Sequence, residues 1–488
     1  MLRLEIMKYI PTIGLEIHVE LKTKTKMFCD SLNDPDEKHP NVNVCPICMG
    51  HPGTLPVINE EALKKLMMVG LALSCSIQND TFFERKNYFY PDLPKGYQIS
   101  QYQKPLCYDG KLEINDRDIR IERIHLEEDA GRLYHPPGKD YTLVDYNRAG
   151  LPLMELVTKP DLENASDVIK FASELRLLLR YVGASDADME KGQMRVEVNI
   201  SLRPEGTDTL GTKVEVKNIN SISAAGKAVE YEIVRQTEAL EAGEKIVQET
   251  RGWDDIHNKT VSQRTKEGSA DYRYFPEPDL PPLRFEDTAI GEVRAALPEL
   301  PSQRRARFAQ EYGLPEWDIE TLTTNKPLGD YFENVMSEAS EELSGEDKKK
   351  LTKLAANYVI TEYQRRLSEL GADPFDTKLS PEMFGEFIAL IVKGAVSSSA
   401  AQTLLNEMLQ TGLHPDHIIH EKDLGQVSDT DELNKIIEQV VLQEPKAAED
   451  FKKGKEASLK FLVGKVMAAS KGKANPQVVQ DLIKQKLQ

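Results

Sequence analysis

The sequence predicts an α+β protein with a largely antiparallel sheet and flanking helices in its first part, followed by helical domains. Up to about residue 280, short alternating runs are interspersed with helical patterns without a regular βαβ order. After the proline-rich passage 275–283 the pattern becomes almost purely helical. We therefore expect an α+β domain over 1–292, a helical domain over 293–408 and a small helical tail domain over 409–488.

The predicted strands show apolar residues at every second position, which is typical of a half-buried sheet. They cover residues 12–21, 119–124, 195–202 and 212–216. The helices of the first part are predicted at 59–73, with Asn59 as N-cap, at 165–181 and at 222–242. Those of the second part are predicted at 303–312, 328–342, 348–370, 381–393 and 400–409, the last capped by Ser397–Ser399.

Composition narrows the class of protein. The chain has 488 residues and 40% hydrophobic residues, without an apolar run long enough to span a membrane and without a recognisable signal peptide, so we expect a cytoplasmic protein. The net charge of −18 argues against general coating of nucleic acid. The end of the chain is basic, however, and carries Lys452, Lys453, Lys455, Lys460, Lys465, Lys471, Lys473, Lys484 and Lys486.

Common nucleotide and hydrolase motifs are absent from the sequence: the P-loop, the dinucleotide-binding glycine motif, the nucleophile elbow and the zinc-protease helix. Acidic groups on predicted strands stand out instead. Glu16, His18 and Glu20 face one side of a strand, and residues 125–131 and 195–199 add further acidic clusters. Such a face is either solvated or a site for magnesium, which prefers oxygen ligands.

Two loops, 85–98 and 264–276, mix tyrosine, lysine, arginine and proline. They either stack on a base and neutralise phosphate or pack as rigid core edges. The thiols of Cys29, Cys45 and Cys48 have knuckle-like spacing, which favours either a structural zinc ion or simply reduced cysteines.

Several of these segments together resemble one family. The strings IGLEIHVEL (13–21), YFYPD (88–92), HLEEDAG (125–131) and DYNRAGLPL (145–153), with 214–221 and 271–279, are similar to motifs of the B subunit of aspartyl/glutamyl-tRNA amidotransferase, GatB. Residues 354–358 and 472–476 resemble the family's helical and YqeY-like tail domains. The resemblance implies that the first domain is a catalytic cradle.

The resemblance also implies an activity. Such a subunit uses ATP and Mg²⁺ to phosphorylate the side-chain carboxyl of Glu-tRNA(Gln) or Asp-tRNA(Asn). Ammonia from glutamine then displaces the phosphate. The implied partners are an amidase subunit (GatA) and a small C subunit (GatC) in a heterotrimer, together with misacylated tRNA. The alternatives are a non-catalytic tRNA-binding scaffold and a metal-dependent nuclease.

The motif matches carry site residues over to this chain. They imply a catalytic, magnesium-bearing face of Glu16, His18, Glu128 and Glu197, with Glu127 as a substitute for Glu128. Contacts to the nucleotide or acceptor end are expected from Lys86, Tyr88, Lys217 and Arg273, and tRNA docking from Lys471 and Lys473. Zinc-bearing members have a further cysteine where this chain has Ser31, so zinc at Cys29, Cys45 and Cys48 is left open.

Overall fold

The computed structural model describes residues 9–265, 272–339, 345–425, 430–470 and 474–487. The chain divides into two compact units, one ending at Leu300 and one beginning at Pro301. The domain boundaries predicted at 292 and 408 both fall inside helices, Asp287–Ala295 and Ser398–Thr411. Those boundaries stay a prediction.

A nine-stranded sheet forms the centre of the first unit, in the order β14-β13-β12-β11-β1-β10-β7-β6-β2. All its neighbouring strands run antiparallel except β12 and β13, which confirms the predicted α+β class with a largely antiparallel sheet. The sheet contains β1 Tyr9–Glu20, β2 Ser76–Ile77, β6 Cys107–Ile114, β7 Arg117–Glu128, β10 Pro152–Thr158, β11 Met194–Pro204, β12 Val214–Lys217, β13 Glu249–Asp254 and β14 Lys259–Thr265. The remaining strands are β3 Asp80–Thr81, β4 Glu84–Asn87, β5 Tyr97–Ser100, β8 Arg132–Tyr134, β9 Leu143–Asp145, β15 Phe275–Pro276 and β16 Leu283–Arg284.

Four helices belong to this unit: α1 Glu60–Ala72, α2 Ala165–Tyr181, α3 Ile222–Glu241 and α4 Asp287–Ala295. The side chain of Asn59 accepts a hydrogen bond from the Ala62 amide, as predicted for the α1 N-cap. The odd-numbered residues of β1 are fully buried in the same core as Phe171 of α2 and Val229 of α3. Because side chains alternate along a strand, the even-numbered residues of β1 face away from that core.

A three-stranded sheet, in the order β15-β4-β5, brings the two aromatic loops together. Phe275 of β15 lies opposite Arg85 of β4, and the Asn87 amide donates to the Tyr272 carbonyl at 2.9 Å. The polar loops that lie far apart in the sequence are therefore neighbours.

The second unit is helical. Its helices are α5 Pro301–Tyr312, α6 Glu316–Thr324, α7 Lys326–Ala339, α8 Glu346–Tyr358, α9 Gln364–Leu370, α10 Pro381–Val392, α11 Ser398–Thr411, α12 Pro415–Lys422, α13 Thr430–Gln443, α14 Pro445–Lys452, α15 Glu456–Ala469 and α16 Pro476–Leu487. It contains two hydrophobic clusters, one from Phe308 to Ile418 and one from Leu433 to Leu487. Within the described residues, no helix has the length and apolar character needed to cross a membrane.

The helix predicted over 348–370 is interrupted. Five residues, Val359–Tyr363, form a π-helical turn between α8 and α9. The turn buries Val359, Ile360 and Tyr363, so the wider turn keeps these residues in the core.

Candidate active site

The polar side of β1 carries the predicted site residues. Glu16, His18 and Glu20 are partly exposed, whereas Leu15, Ile17 and Val19 between them are fully buried in the core. The predicted sharing of one strand face is therefore confirmed.

The sheet register adds two residues to this face. Glu155 of β10 lies opposite His18, and His125 of β7 lies opposite Glu155. The carboxylate oxygen Oε2 of Glu155 lies 3.4 Å from Nε2 of His18 and 3.7 Å from Nε2 of His125. The row His125–Glu155–His18 thus crosses three adjacent strands.

Glu127 completes the cluster from the same side of β7 as His125. Its carboxylate oxygens lie 3.7 Å from Nε2 of His18 and 3.8 Å from Nε2 of His125. The hydroxyl of Ser100 on β5 donates to Glu127 at 3.3 Å. We call Glu16, His18, His125, Glu127 and Glu155 the acid–histidine centre.

The charges of this centre depend on one another. Burial would lower the pKa of His18, but the hydrogen bond to Glu155 and the charge of Glu127 raise it to about 9. Burial opposes ionisation of Glu155 as well, yet the two histidines lower its pKa. Nδ1 of His18 and Nδ1 of His125 are buried without a hydrogen-bond partner among the described residues.

The donor set fits a hard divalent cation. Glu16, His18 and Glu155 each offer one atom within 4.8 Å of the others, and His125, Glu127 and Glu155 do the same. Carboxylate oxygens are the ligands that magnesium prefers, and buried acids require a positive partner.

A second acidic group continues the face on the other side of β1. Glu16, Glu197 and Glu215 also place one oxygen each within 4.8 Å of one another. Nζ of Lys217 lies 2.7 Å from Glu197 and 3.3 Å from Glu215, and these carboxylates raise its pKa although burial opposes the charge. Burial and the nearby charges of Glu155 and Glu197 raise the pKa of Glu16. Glu16 therefore belongs to both groups.

The predicted placement of Glu128 on this face is wrong. Glu128 follows Glu127 directly in β7, so its side chain points to the opposite face. It pairs with Lys95 at 2.5 Å and accepts the Ile99 amide at 2.9 Å. There it borders a cavity of about 100 Å³ together with Cys29 and Cys48. The substitute, Glu127, occupies the predicted face.

Aromatic and basic residues from the two loops lie beside the acid–histidine centre. Nζ of Lys86 lies 5.2 Å from the ring centre of Tyr272 and 5.8 Å from that of Tyr88. Although burial opposes its charge, Glu127 and Glu155 raise the pKa of Lys86. Arg273 is exposed, and its carbonyl accepts a hydrogen bond from Asn87 at 2.8 Å.

Arginines lie at the other end of the face. Both terminal nitrogens of Arg195 are 3.1 Å from the two carboxylate oxygens of Asp129, and Nε of Arg148 is 3.4 Å from Asp129. Despite its burial, these arginines lower the pKa of Asp129 to about 2. Burial and the charge of Asp129 raise the pKa of the neighbouring Glu20 to about 8.

The three cysteines converge as a metal site requires, with their sulfurs within 4.8 Å of one another. The Ser31 hydroxyl lies 3.8 Å from the Cys48 sulfur, so an oxygen stands where a fourth thiolate would be. The ammonium of Lys26, which is fully buried, also lies 3.8 Å from the Cys48 sulfur. The hydrogen bond from Cys29 lowers the pKa of Cys48 to about 4. The residues fit zinc through three thiolates and an open or oxygen-filled fourth position.

Sequence reasoning missed Glu155 and left His125 outside the site. The signal for Glu155 is a single carboxylate in the otherwise apolar strand 152–158. His125 alternates with Glu127 at a spacing of two, which places both on one face. Lys471 and Lys473 lie outside the described residues.

The fold and the acid–histidine centre define a class of α+β protein able to hold a divalent cation on the polar face of a sheet. Residues 11–291 match the family model described as the GatB/GatE catalytic domain, and residues 330–487 match the one described as the GatB domain. The chain belongs to the family of aspartyl/glutamyl-tRNA(Asn/Gln) amidotransferase B subunits.

Relatives with that printed name match over almost their whole length. The protein of Thermoanaerobacter pseudethanolicus is 46% identical over 99% of this chain and 100% of its own. The relative from Dehalococcoides mccartyi is 46% identical over 99% of both chains, and the one from Persephonella marina is 46% identical over 99% of this chain and 100% of its own.

Proposed function

We propose that this chain is the carboxyl-activating subunit of an ATP-dependent tRNA amidotransferase, a carbon–nitrogen ligase that takes its amide nitrogen from glutamine. It acts on Glu-tRNA(Gln), Asp-tRNA(Asn) or both, in the cytoplasm. Its partners are an amidase subunit, GatA, and a small C subunit, GatC. The printed name of the relatives supports the tRNA substrate class.

The reaction needs activation because a carboxylate is a poor electrophile. A side-chain carboxylate oxygen attacks the γ-phosphorus of ATP, the bond between that phosphorus and the β–γ bridging oxygen breaks, and ADP leaves. Ammonia then attacks the acyl carbon, and inorganic phosphate leaves as the amide forms. Catalysis of the first step depends on positioning and on neutralising phosphate charge.

One observation carries the assignment: three carboxylates, from Glu16, Glu127 and Glu155, converge on the imidazoles of His18 and His125. Glu16, His18, Glu127 and Glu155 would hold Mg²⁺, which supplies charge neutralisation for the phosphates when bound.

The chain's own side chains do the remaining work. Lys86 adds a fixed positive charge beside the centre, and Tyr88 offers an aromatic surface for the nucleotide or the acceptor end. Lys217 and Arg273 are further contacts in this proposal. Glu197 and Glu215 anchor Lys217 at the far side of Glu16.

The test is ATP hydrolysis by the assembled complex in the presence of misacylated tRNA. Glu16→Ala should abolish the stimulation by Glu-tRNA or Asp-tRNA, because Glu16 contributes to both acidic groups. Glu113→Gln serves as the control, since Glu113 is an exposed carboxylate of β6 in the same sheet.

Other outcomes identify the other functions. If Glu16→Ala hydrolyses ATP like the parent, the chain is a tRNA-binding scaffold rather than the activating subunit. If the chain with Mg²⁺ cleaves tRNA strands, the acidic centre belongs to a nuclease.

A further inference from the structure

Arg195 occupies a defined position beside the acid–histidine centre. In the sheet register, Arg195 of β11 lies directly opposite His18 of β1. Its side chain therefore starts from the polar face, on the side of His18 away from Glu155. It is the cationic neighbour of His18 on that strand pair.

Asp129 fixes the guanidinium of Arg195. Each terminal nitrogen of Arg195 donates to a different carboxylate oxygen of Asp129, both at 3.1 Å. The Asp129 side chain is only 5% exposed, whereas that of Arg195 is 32% exposed. A two-point bond of this kind sets the plane and direction of the fork. Because Arg has five N–H donors, donors remain on the exposed side for another acceptor.

Arg148 supports the same arrangement from the adjoining loop. Its Nε lies 3.4 Å from Asp129 and donates to the Ala130 carbonyl at 3.2 Å. Arg148 thus ties Asp129 to the segment that follows β7. Glu20 lies beside the same arginines, so it shares their field.

A substrate carboxylate must approach a face that already holds several carboxylates. Without a protein cation, like charges would repel it from the centre. The other nearby cations are engaged with the centre's own acids: Lys217 with Glu197 and Glu215, and Arg123 with Glu155 at 3.5 Å. Arg195 is held instead by an aspartate outside the centre.

We propose that Arg195, oriented by Asp129, binds the side-chain carboxylate of the aminoacyl-tRNA and positions it beside the acid–histidine centre. This inference rests on the proposed function and names the residue that recognises the acceptor carboxylate. A planar fork matches the two oxygens of a carboxylate, which an ammonium group does not. Asp129 is a positioning residue, since it acts through Arg195.

The experiment compares Arg195→Ala, Arg195→Lys and a control, Arg203→Ala, in the assembled complex. Arg203 lies on the same strand and on the same face, eight residues further along, and donates to the Thr207 carbonyl. Arg195→Ala should lower kcat/KM for misacylated tRNA by about 10- to 100-fold, with the KM for ATP unchanged. Arg195→Lys should stay impaired. Guanidinium chloride, at concentrations harmless to the parent, should restore part of the Arg195→Ala activity.

A binding measurement separates recognition from folding. The parent should bind Glu-tRNA more tightly than Gln-tRNA of the same sequence, because only the former carries the carboxylate. Arg195→Ala and Arg195→Lys should lose this preference while keeping their affinity for uncharged tRNA. If the preference persists in Arg195→Lys, or if Arg195→Ala matches Arg203→Ala, the inference is overturned. A parent complex without aminoacyl-tRNA-dependent ATP hydrolysis would overturn the proposed function instead.

Discussion

Replacing Glu155 with Gln tests the centre at the residue that sequence reasoning missed. The substitution keeps the shape of the side chain and removes its charge. Of the three carboxylates near His18, Glu155 is the closest, at 3.4 Å against 3.7 Å for Glu127 and 3.9 Å for Glu16. It also belongs to two of the groups able to hold a cation.

The size of the effect follows from these contacts. Loss of one preorganised charged group at a reaction centre typically lowers kcat by about 100- to 1,000-fold, or roughly 3–4 kcal/mol of barrier. Loss of one oxygen ligand should also raise the Mg²⁺ concentration that gives half-maximal activity, by about 10- to 100-fold. We therefore expect Glu155→Gln to fail at low Mg²⁺ and to recover only partly at high Mg²⁺.

The assay is single-turnover formation of Gln-tRNA at saturating ATP over a series of Mg²⁺ concentrations. Glutamine hydrolysis by the partner subunit reports that the complex is intact. Glu113→Gln, on the exposed side of β6, should match the parent throughout. Activity of Glu155→Gln within a few-fold of the parent at every Mg²⁺ concentration would refute the reasoning.

Three further predictions concern regions outside this centre. Glu232→Gln should lower the free energy of unfolding by about 3 kcal/mol at pH 7, because Glu232 is fully buried and pairs with Arg235 at 2.7 Å. Hydrogen bonds from Arg235 and its neighbours lower the pKa of Glu232 despite its burial, so this difference should shrink as the pH falls below the ordinary value of 4.5; urea unfolding at both pH values checks it, and a constant difference would contradict it. Ser31→Cys should strengthen zinc binding by about tenfold or more in chelator competition, and an unchanged affinity would place Ser31 outside the coordination shell. Lys471→Glu with Lys473→Glu should weaken tRNA binding and reduce its salt slope by about 2, whereas unchanged binding would remove the tail from tRNA docking.

The period of a strand allowed part of the site to be predicted. Alternation alone places Glu16 and His18 on one face, and the structure confirms this placement. The same rule, applied to Ile124 and Leu126 as core residues, assigns Glu128 to the core side and Glu127 to the polar side. The prediction of Glu128 followed a motif match where strand parity was the better guide.

Register was beyond the reach of the sequence. Glu155 and Arg195 lie opposite His18 only because β10 and β11 pair with β1 in particular registers. Such pairings join residues well over a hundred positions apart, and no local pattern encodes them. The single charge in an apolar strand marks Glu155 as a buried acid that needs partners, but does not name them.

Helices were predicted well where capping chemistry is local. Asn59 and Ser397 cap α1 and α11 as expected, because each side chain accepts a bond from an amide three residues ahead. The π-helical turn at Val359–Tyr363 was not predicted, since it depends on tertiary packing.

The most direct measurement is the position of a manganese ion in crystals of the assembled enzyme grown with a non-hydrolysable ATP analogue. Anomalous scattering should place the ion against carboxylate oxygens of Glu16, Glu127 or Glu155, on the face that carries His18, with the triphosphate beside it. Manganese and nucleotide found together on the opposite face, next to Glu128, or away from this sheet would contradict the account.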